Sequence, residues 1–530
     1  MKKIKNFILP LFLGLFIVAC DNDDSLNPVT DPILDNIRYD LGELNDSGVS
    51  GDAVFNEQED GSIQLIVEVE GTSPGNMHPA HIHMNAAFET GPIIVSLEPV
   101  DGATGLSITE FTSDVDGNPI SFEDIEGLDA YINVHLNPND DTVVAQGNIG
   151  QNDFTGEEKS YDLGERAVPG ISGTVLFKER ANGFALATIS LEGTPDDGLH
   201  PAHIHMNTAA QGGDIIFSFN PVNGATGISN TDTNESAMEG ENAFTFEEIL
   251  GLDAYVNIHL SAEELETIVA QGDIGQNELT GESKTYELGE KDVEDISGSI
   301  LFEERANGFA LATISLENTI EGEEHPAHIH MNSAIIGGSI IFSFNSVNGT
   351  SGISTTESDE SAMEGENAIS YAEILEADAY VNVHLGPGDD LATIVAQGDI
   401  GSNELTGESI TYTLNEVDVM GINGEITFEE RINGFALATI DLVGTPADGM
   451  HPAHIHAGEI VDNGPIIFSF NPVDGATGMS MSDTRQGNGD DEDSFTYADI
   501  LEIAGYVNVH LSATELETIV AQGDIGANLE

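Results

Sequence analysis

The segment His200-Pro201-Ala202-His203-Ile204-His205-Met206, with Tyr255-Val256-Asn257-Ile258-His259-Leu260 downstream of it, sets the fold class of this 530-residue chain. Both stretches alternate with the period of two that an extended strand converts into two faces. His203, His205 and Asn207 share one face, and Ala202, Ile204 and Met206 the other. Likewise Tyr255, Asn257 and His259 oppose Val256, Ile258 and Leu260. The aliphatic faces belong in a core. The histidines are therefore expected to look outward, or into a cleft between strand and loop.

Both phrases recur. His-Pro-Ala-His-Ile-His begins at His78, His200, His325 and His451, spacings of 122, 125 and 126 residues. The second phrase carries its histidine at His135, His259, His384 and His510, spacings of 124, 125 and 126. A period near 125 is far longer than a solenoid repeat, so each copy is expected to be a domain with its own core. Tyr39, Tyr161, Tyr286 and Tyr412 open the copies, and runs such as Val143 to Gly150 close them. The predicted modules span 38–156, 157–281, 282–407 and 408–530, with boundaries in short polar links near Gly156, Gly281 and Gly407. Modules two and three share Ser-Ala-Met-Glu-Gly-Glu-Asn at Ser236 and Ser361.

In module two, short strands are expected over 173–177, 183–191, 203–206, 215–220, 255–260 and 267–271, separated by Gly, Pro, Asn and Asp turns. Thr245-Phe246-Glu247-Glu248 is a capping box and predicts one helical turn. Its counterparts are Ser121 with Asp124, Ser370 with Glu373 and Thr496 with Asp499. The prediction is an all-β protein of four tandem antiparallel sandwiches or flattened barrels, each of about seven or eight strands.

All 16 histidines lie in these two phrases, four to a module. The set is His78, His81, His83 and His135, then His200, His203, His205 and His259, then His325, His328, His330 and His384, then His451, His454, His456 and His510. Histidines at i and i+2 stand about 6.5 Å apart at Cα, so both rings can close on one cation. His200 sits at the strand's entrance and can supply a further nitrogen. Neutral imidazoles without thiolates suit copper, zinc or nickel better than calcium or magnesium. Neighbouring asparagines are expected to orient the rings. The competing structural reading is an exposed His-rich strand, or a His/Asn hydrogen-bonding ladder between sheets. Asp114-Val115-Asp116-Gly117-Asn118 and the acids Asp490 to Asp493 lack full EF-hand spacing and read as solvated loops. Met84, Met206 and Met331 follow the His-x-His phrase on the core face and are expected to pack.

The chain carries 94 Asp+Glu against 13 Lys+Arg, a formal charge of -81. So few cations build no phosphate-neutralising patch, which excludes nucleic acid and polybasic membrane docking. Lys2, Lys3 and Lys5 precede an apolar run from Phe7 to Ala19, the pattern of an export signal. Cys20, the only cysteine, ends Ile17-Val18-Ala19-Cys20 and excludes a disulfide framework within the chain. This segment resembles a bacterial lipoprotein box, which implies a signal over 1–20, acyl chains on Cys20 and a tether over 21–37. Asp21, Asp23 and Asp24 resemble the surface-export signal of Bacteroidetes lipoproteins. The expected location is the cell envelope, lipid-anchored in the outer membrane and surface-exposed.

Ala-His-Ile-His, a Gly-Pro-Ile-Ile strand at Gly91 and Gly464, Leu-x-Ala-Tyr-Val-Asn-Val-His and Gly-x-Ile-Gly, in that order, resemble the CHRD domain, named for chordin. The likeness extends over all four modules, although the family's Gly-Glu-Ile-Arg-Gly ending is Ala-Gln-Gly-Asp-Ile-Gly here. More distantly the modules resemble copper/zinc superoxide dismutase, a β-sandwich protein, so superoxide dismutase-like or Ig-like sandwiches are expected. That likeness implies copper ligands at His81, His83 and His135 in module one, with His78 extra. No histidine lies between His83 and His135, so the bridging and zinc ligands of that enzyme have no counterpart. Arg180, Arg305 and Arg431 recur as cations only in an earlier strand. A surface this negative repels superoxide and attracts metal cations. Binding of copper, or alternatively zinc, for capture, buffering or storage is thus expected over catalysis. The alternatives are an adhesion or matrix protein with an extracellular protein or glycan partner, and a dismutase-like redox enzyme.

Overall fold

The computed structural model describes residues 32–488 and 494–529. Cys20, the signal, residues 21–31 of the expected tether and the acids Asp490 to Asp493 lie outside them. From Ile33 onward the expected tether is instead part of the strand Ile33–Glu43, which pairs with the next strand of module one. Within the described residues the chain forms antiparallel sheets that repeat four times. It divides into two compact units, one running to Glu157 and taking in Glu179–Gly183, the other comprising Glu158–Lys178 and Phe184–Glu530. No helix among the described residues is long and apolar enough to cross a membrane.

Module three shows the sheet in its closed form. In spatial order its strands are Leu279–Glu290, Ser297–Arg305, Ala310–Glu317, Ile353–Glu357, Ile340–Asn348, Glu324–Met331, Asp378–His384 and Ile394–Gly401, which returns to the first. Closure leaves no unpaired edge. The same order holds in the other modules, where the strand after the first His phrase breaks into pieces and the barrel opens. The His-x-His strand therefore lies between Ile340–Asn348 and Asp378–His384, with His328 opposite Asn382 and His330 opposite Tyr380.

Four separate cores fill the modules. In module two Ala202, Ile204, Val256 and Ile258 are buried against Phe177 and Phe217, as strand alternation predicts. Tyr161 packs edge-on to Phe177 at 6.1 Å, and its hydroxyl hydrogen-bonds the Gly275 backbone, joining the first strand of the module to its last. Burial pushes that hydroxyl up to about 12. Gly275 lies at φ +64, and a Cβ there would meet the Leu252 carbonyl at 2.2 Å, which accounts for the glycine that ends the closing run.

The helical turn forms at Phe246–Leu250, with Thr245 Oγ1 accepting from Glu248 N and the Glu248 carboxylate accepting from Thr245 N. In module one it is a 3-10 turn, Phe122–Gly127. Two further expectations are revised, and the Asp114 segment is the solvated loop expected. Gly156, Gly281 and Gly407 do not sit in polar links but inside the opening strands Phe154–Glu165, Leu279–Glu290 and Leu405–Glu416, at positive φ. These long strands are mostly polar and exposed, so their apolar signal is weak. Met84, Met206 and Met331 are 43–48% exposed rather than packed, because the core layer ends at Ile82, Ile204 and Ile329 and the next residue, an asparagine at φ +66 to +69, turns the chain. Asp114 folds its own loop, accepting from Asp116 N, Asn118 N and Asn118 Nδ2 at 2.7–2.9 Å.

Candidate metal centre

The two His phrases meet because they occupy neighbouring strands. Register places His203 beside Asn257 and His205 beside Tyr255, and a bulge at the end of the second strand swings His259 toward them. The rings of His203 and His259 stand 4.9 Å apart, and that of His203 lies 5.9 Å from His205. The corresponding distances are 5.1 and 5.9 Å in module three and 5.1 and 6.1 Å in module four. In module one His81 lies 5.3 Å from His135 and 5.8 Å from His83. In every module one nitrogen from each of the three rings lies within 4.8 Å of the other two. Metal–imidazole bonds of about 2.0–2.1 Å hold such nitrogens no more than about 4.2 Å apart, so side-chain adjustment of under an ångström closes the set.

Backbone carbonyls decide which nitrogen faces the centre. His205 donates Nδ1–H to the Gly213 carbonyl at 3.0 Å, and His83, His330 and His456 do the same to Gly91, Gly338 and Gly464. His259 donates Nδ1–H to the Leu265 carbonyl; His135, His384 and His510 donate to Asp141, Leu391 and Leu516. A neutral imidazole that has spent its proton on Nδ1 presents a bare lone pair at Nε2. The third nitrogen is Nδ1 of His81, His203, His328 or His454. Eleven of these twelve inward nitrogens are buried and have no hydrogen-bond partner; the exception, His135 Nε2, belongs to a half-exposed residue. Convergent buried lone pairs without a donor are costly unless a cation sits among them. The donor set thus fits a metal ion bound by one Nδ1 and two Nε2 atoms.

Rigid neighbours hold the rings. Tyr255 stacks on His205 at 5.0 Å and 20°, as Tyr131, Tyr380 and Tyr506 stack on His83, His330 and His456. The Tyr255 hydroxyl also hydrogen-bonds the backbone of Gly213, the residue that fixes His205. Burial, then repulsion by the other imidazoles, lowers His203, His328 and His454 to about 4. In modules two and three a carboxylate acts the other way. Glu241 and Glu366 come from the shared Ser-Ala-Met-Glu-Gly-Glu-Asn phrase. Ser218 and Ser236 hold Glu241, and Ser343 and Ser361 hold Glu366, at 2.6–3.1 Å. Ser218 pairs across the strand with His203, and Ser343 with His328.

Not every predicted ligand joins the centre. His78, His200, His325 and His451 are almost fully buried outside the triads, with Nδ1 on the carbonyl oxygen of His135, His259, His384 and His510 at 3.0–3.3 Å. They tie the entrance of the first His strand to the end of the second. In modules one, two and four the following proline separates it from the strand carrying the His-x-His pair, whereas in module three the strand Glu324–Met331 runs through both. The asparagines play a different part from the one expected: Asn257 accepts from Gln271, and Asn207 braces its own loop through the Gly212 carbonyl. Ring orientation comes instead from main-chain carbonyls, which no side-chain pattern reveals. The tyrosines recur visibly in the second phrase, and cross-strand register with the histidines is the signal that would have found them.

Fold and site together define a tandem array of antiparallel β modules, closed into a barrel in module three and open in the others, each with a three-imidazole centre. The family model for the CHRD domain matches residues 42–142, so the first module carries a CHRD domain. Modules two to four repeat its His phrases and strand order. No curated protein and no solved structure matches the chain.

Proposed function

We propose that the protein binds transition-metal ions, copper foremost, one to each module, and serves in metal capture, buffering or storage at the cell surface from a lipid anchor on Cys20. The observation that carries this reading is the set of buried, donor-free imidazole nitrogens converging in all four modules. Three nitrogen donors with no carboxylate or thiolate among them favour copper, with zinc next. The formal charge of -81 supports accumulation of cations over turnover of an anion such as superoxide. Zinc and copper analysis of the mature chain should give about four ions. Replacing one His-x-His pair at a time by alanine should remove one ion per step. Trace metal in the unaltered protein, unchanged by those replacements, would refute the reading and favour an adhesive role.

A further inference from the structure

We propose that Arg305 and Arg431 are positioning residues for the metal centre of the module preceding each of them, so that centres two and three are completed by the next module along the chain. The inference rests on the metal-binding reading above and concerns the loops Asn207 to Gly213 and Asn332 to Gly338, whose last carbonyls orient His205 and His330.

Each loop is held at three points, and all three lead to one arginine. Ala209 N donates to Asp273 Oδ1 at 2.8 Å, while Asp273 Oδ2 pairs with Arg305 Nη1 at 2.9 Å. The same Nη1 donates to the carbonyl of Asn277, whose side-chain amide donates to the Asn207 carbonyl at the start of the loop. On its other side the guanidinium grips Glu357 through Nε and Nη2 at 2.7 and 2.6 Å, and Glu357 accepts from the Thr208 hydroxyl of the loop. The next junction repeats the pattern. Ala334 N donates to Asp399 Oδ1, Asp399 Oδ2 accepts from Arg431 Nη1, and Asn403 bridges Arg431 to the Asn332 carbonyl. Ser333 Oγ donates to Asp483 at 2.7 Å, although Asp483 stands 3.9 Å from Arg431 and is shared with Arg485.

Both arginines are 1% exposed, and Thr208, Ser333, Asn277 and Asn403 are 0–1% exposed. Burying ions in this way adds little net stability compared with an apolar contact of the same volume. What a planar guanidinium fork supplies is direction at several donors at once. Those directions end on the segment that aims a metal ligand. In module one the loop contact is made without a charge, since Ala87 N donates to Asn148 Oδ1 at 3.0 Å. The carboxylate that reaches for an arginine is thus an addition in modules two and three.

The test uses two full-length chains, one keeping only the His203/His205/His259 triad and the other only His328/His330/His384, the remaining triads being changed to alanine. Into each is placed Asp273→Asn, which keeps the acceptor for Ala209, and separately the triple change Asp273→Asn, Arg305→Met and Glu357→Gln, which removes the arginine together with both carboxylates it pairs. Copper affinity is read by competition with a chelator. The expected result is weakening of about 10-fold at the module-two centre and no change at the module-three centre, although Arg305 lies in module three. Equal weakening at both, or none at the first, overturns the proposal. Amide exchange of residues 207–213 in the metal-free variants gives a second reading. Faster exchange confined to that loop supports positioning, and unchanged exchange overturns it. If the unaltered chain takes up no copper, the metal reading falls, and the exchange measurement alone decides whether the arginine sets the loop.

Discussion

Burial and mutual repulsion keep His203, His328 and His454 neutral to about pH 4, well below the ordinary imidazole value of 6.5. An unfolded chain takes up those protons first, so the metal-free protein loses stability as pH falls below about 6.5, and the loss continues to about 4. The difference in melting temperature between the metal-free chain and a His203→Gln/His328→Gln/His454→Gln variant should be constant above about pH 6.5. It should shift against the unaltered chain as pH falls toward about 4. Parallel curves would show that the depressed values are wrong. Carboxylate protonation acts on both chains alike and cancels in the comparison. The stacked tyrosines give a second residue-scale prediction. Tyr255→Phe keeps the stacked face and should leave copper affinity at that module nearly unchanged. Tyr255→Leu frees the His205 ring and should weaken binding by about 10-fold, measured by chelator competition.

At the scale of elements, the hairpin after the first His strand carries the greatest constraint. Gly213 presents its carbonyl to His205, and a Cβ at this position would stand 2.2 Å from the Met206 carbonyl. Gly213→Ala should therefore cost about 1–3 kcal/mol in a urea titration and should also weaken the module-two centre, because the loop must move to relieve the clash. A loss of stability without any loss of affinity would separate the hairpin from the site. Strand type, strand alternation and the capping-box turn were all readable from local pattern. The opening strands were not, because residues such as those of Leu279–Glu290 expose most of their side chains and show little apolar alternation. Two-residue strands such as Leu199–His200 are too short to leave a pattern.

For the whole molecule, a formal charge of -81 works against compactness. Raising salt from about 0.01 to 0.15 M shortens the screening length from about 30 to 8 Å, so the melting temperature of the metal-free chain should rise with sodium chloride. Copper loading should raise it further at constant salt, by stabilising the folded state that alone assembles the triads. A melting temperature indifferent to salt would mean that the acids are already neutralised by structure; Arg305 and Arg431 with their partners account for only a few of them.

The repeat, its β character and the concentration of every histidine in two phrases could be read from the chain, because they are properties of neighbours in order and of the two faces of a strand. Selection among those histidines could not. His200 and His205 look equally eligible in one dimension, yet one is turned to the carbonyl of His259, 59 residues away, and the other to the carbonyl of Gly213 across a hairpin. Arg305 likewise reads as a lone cation until folding brings Asp273 and Glu357 to opposite sides of it. Main-chain acceptors have no side-chain signature, and partners supplied by a neighbouring module have no fixed spacing. Both become visible only when the strands are laid in register.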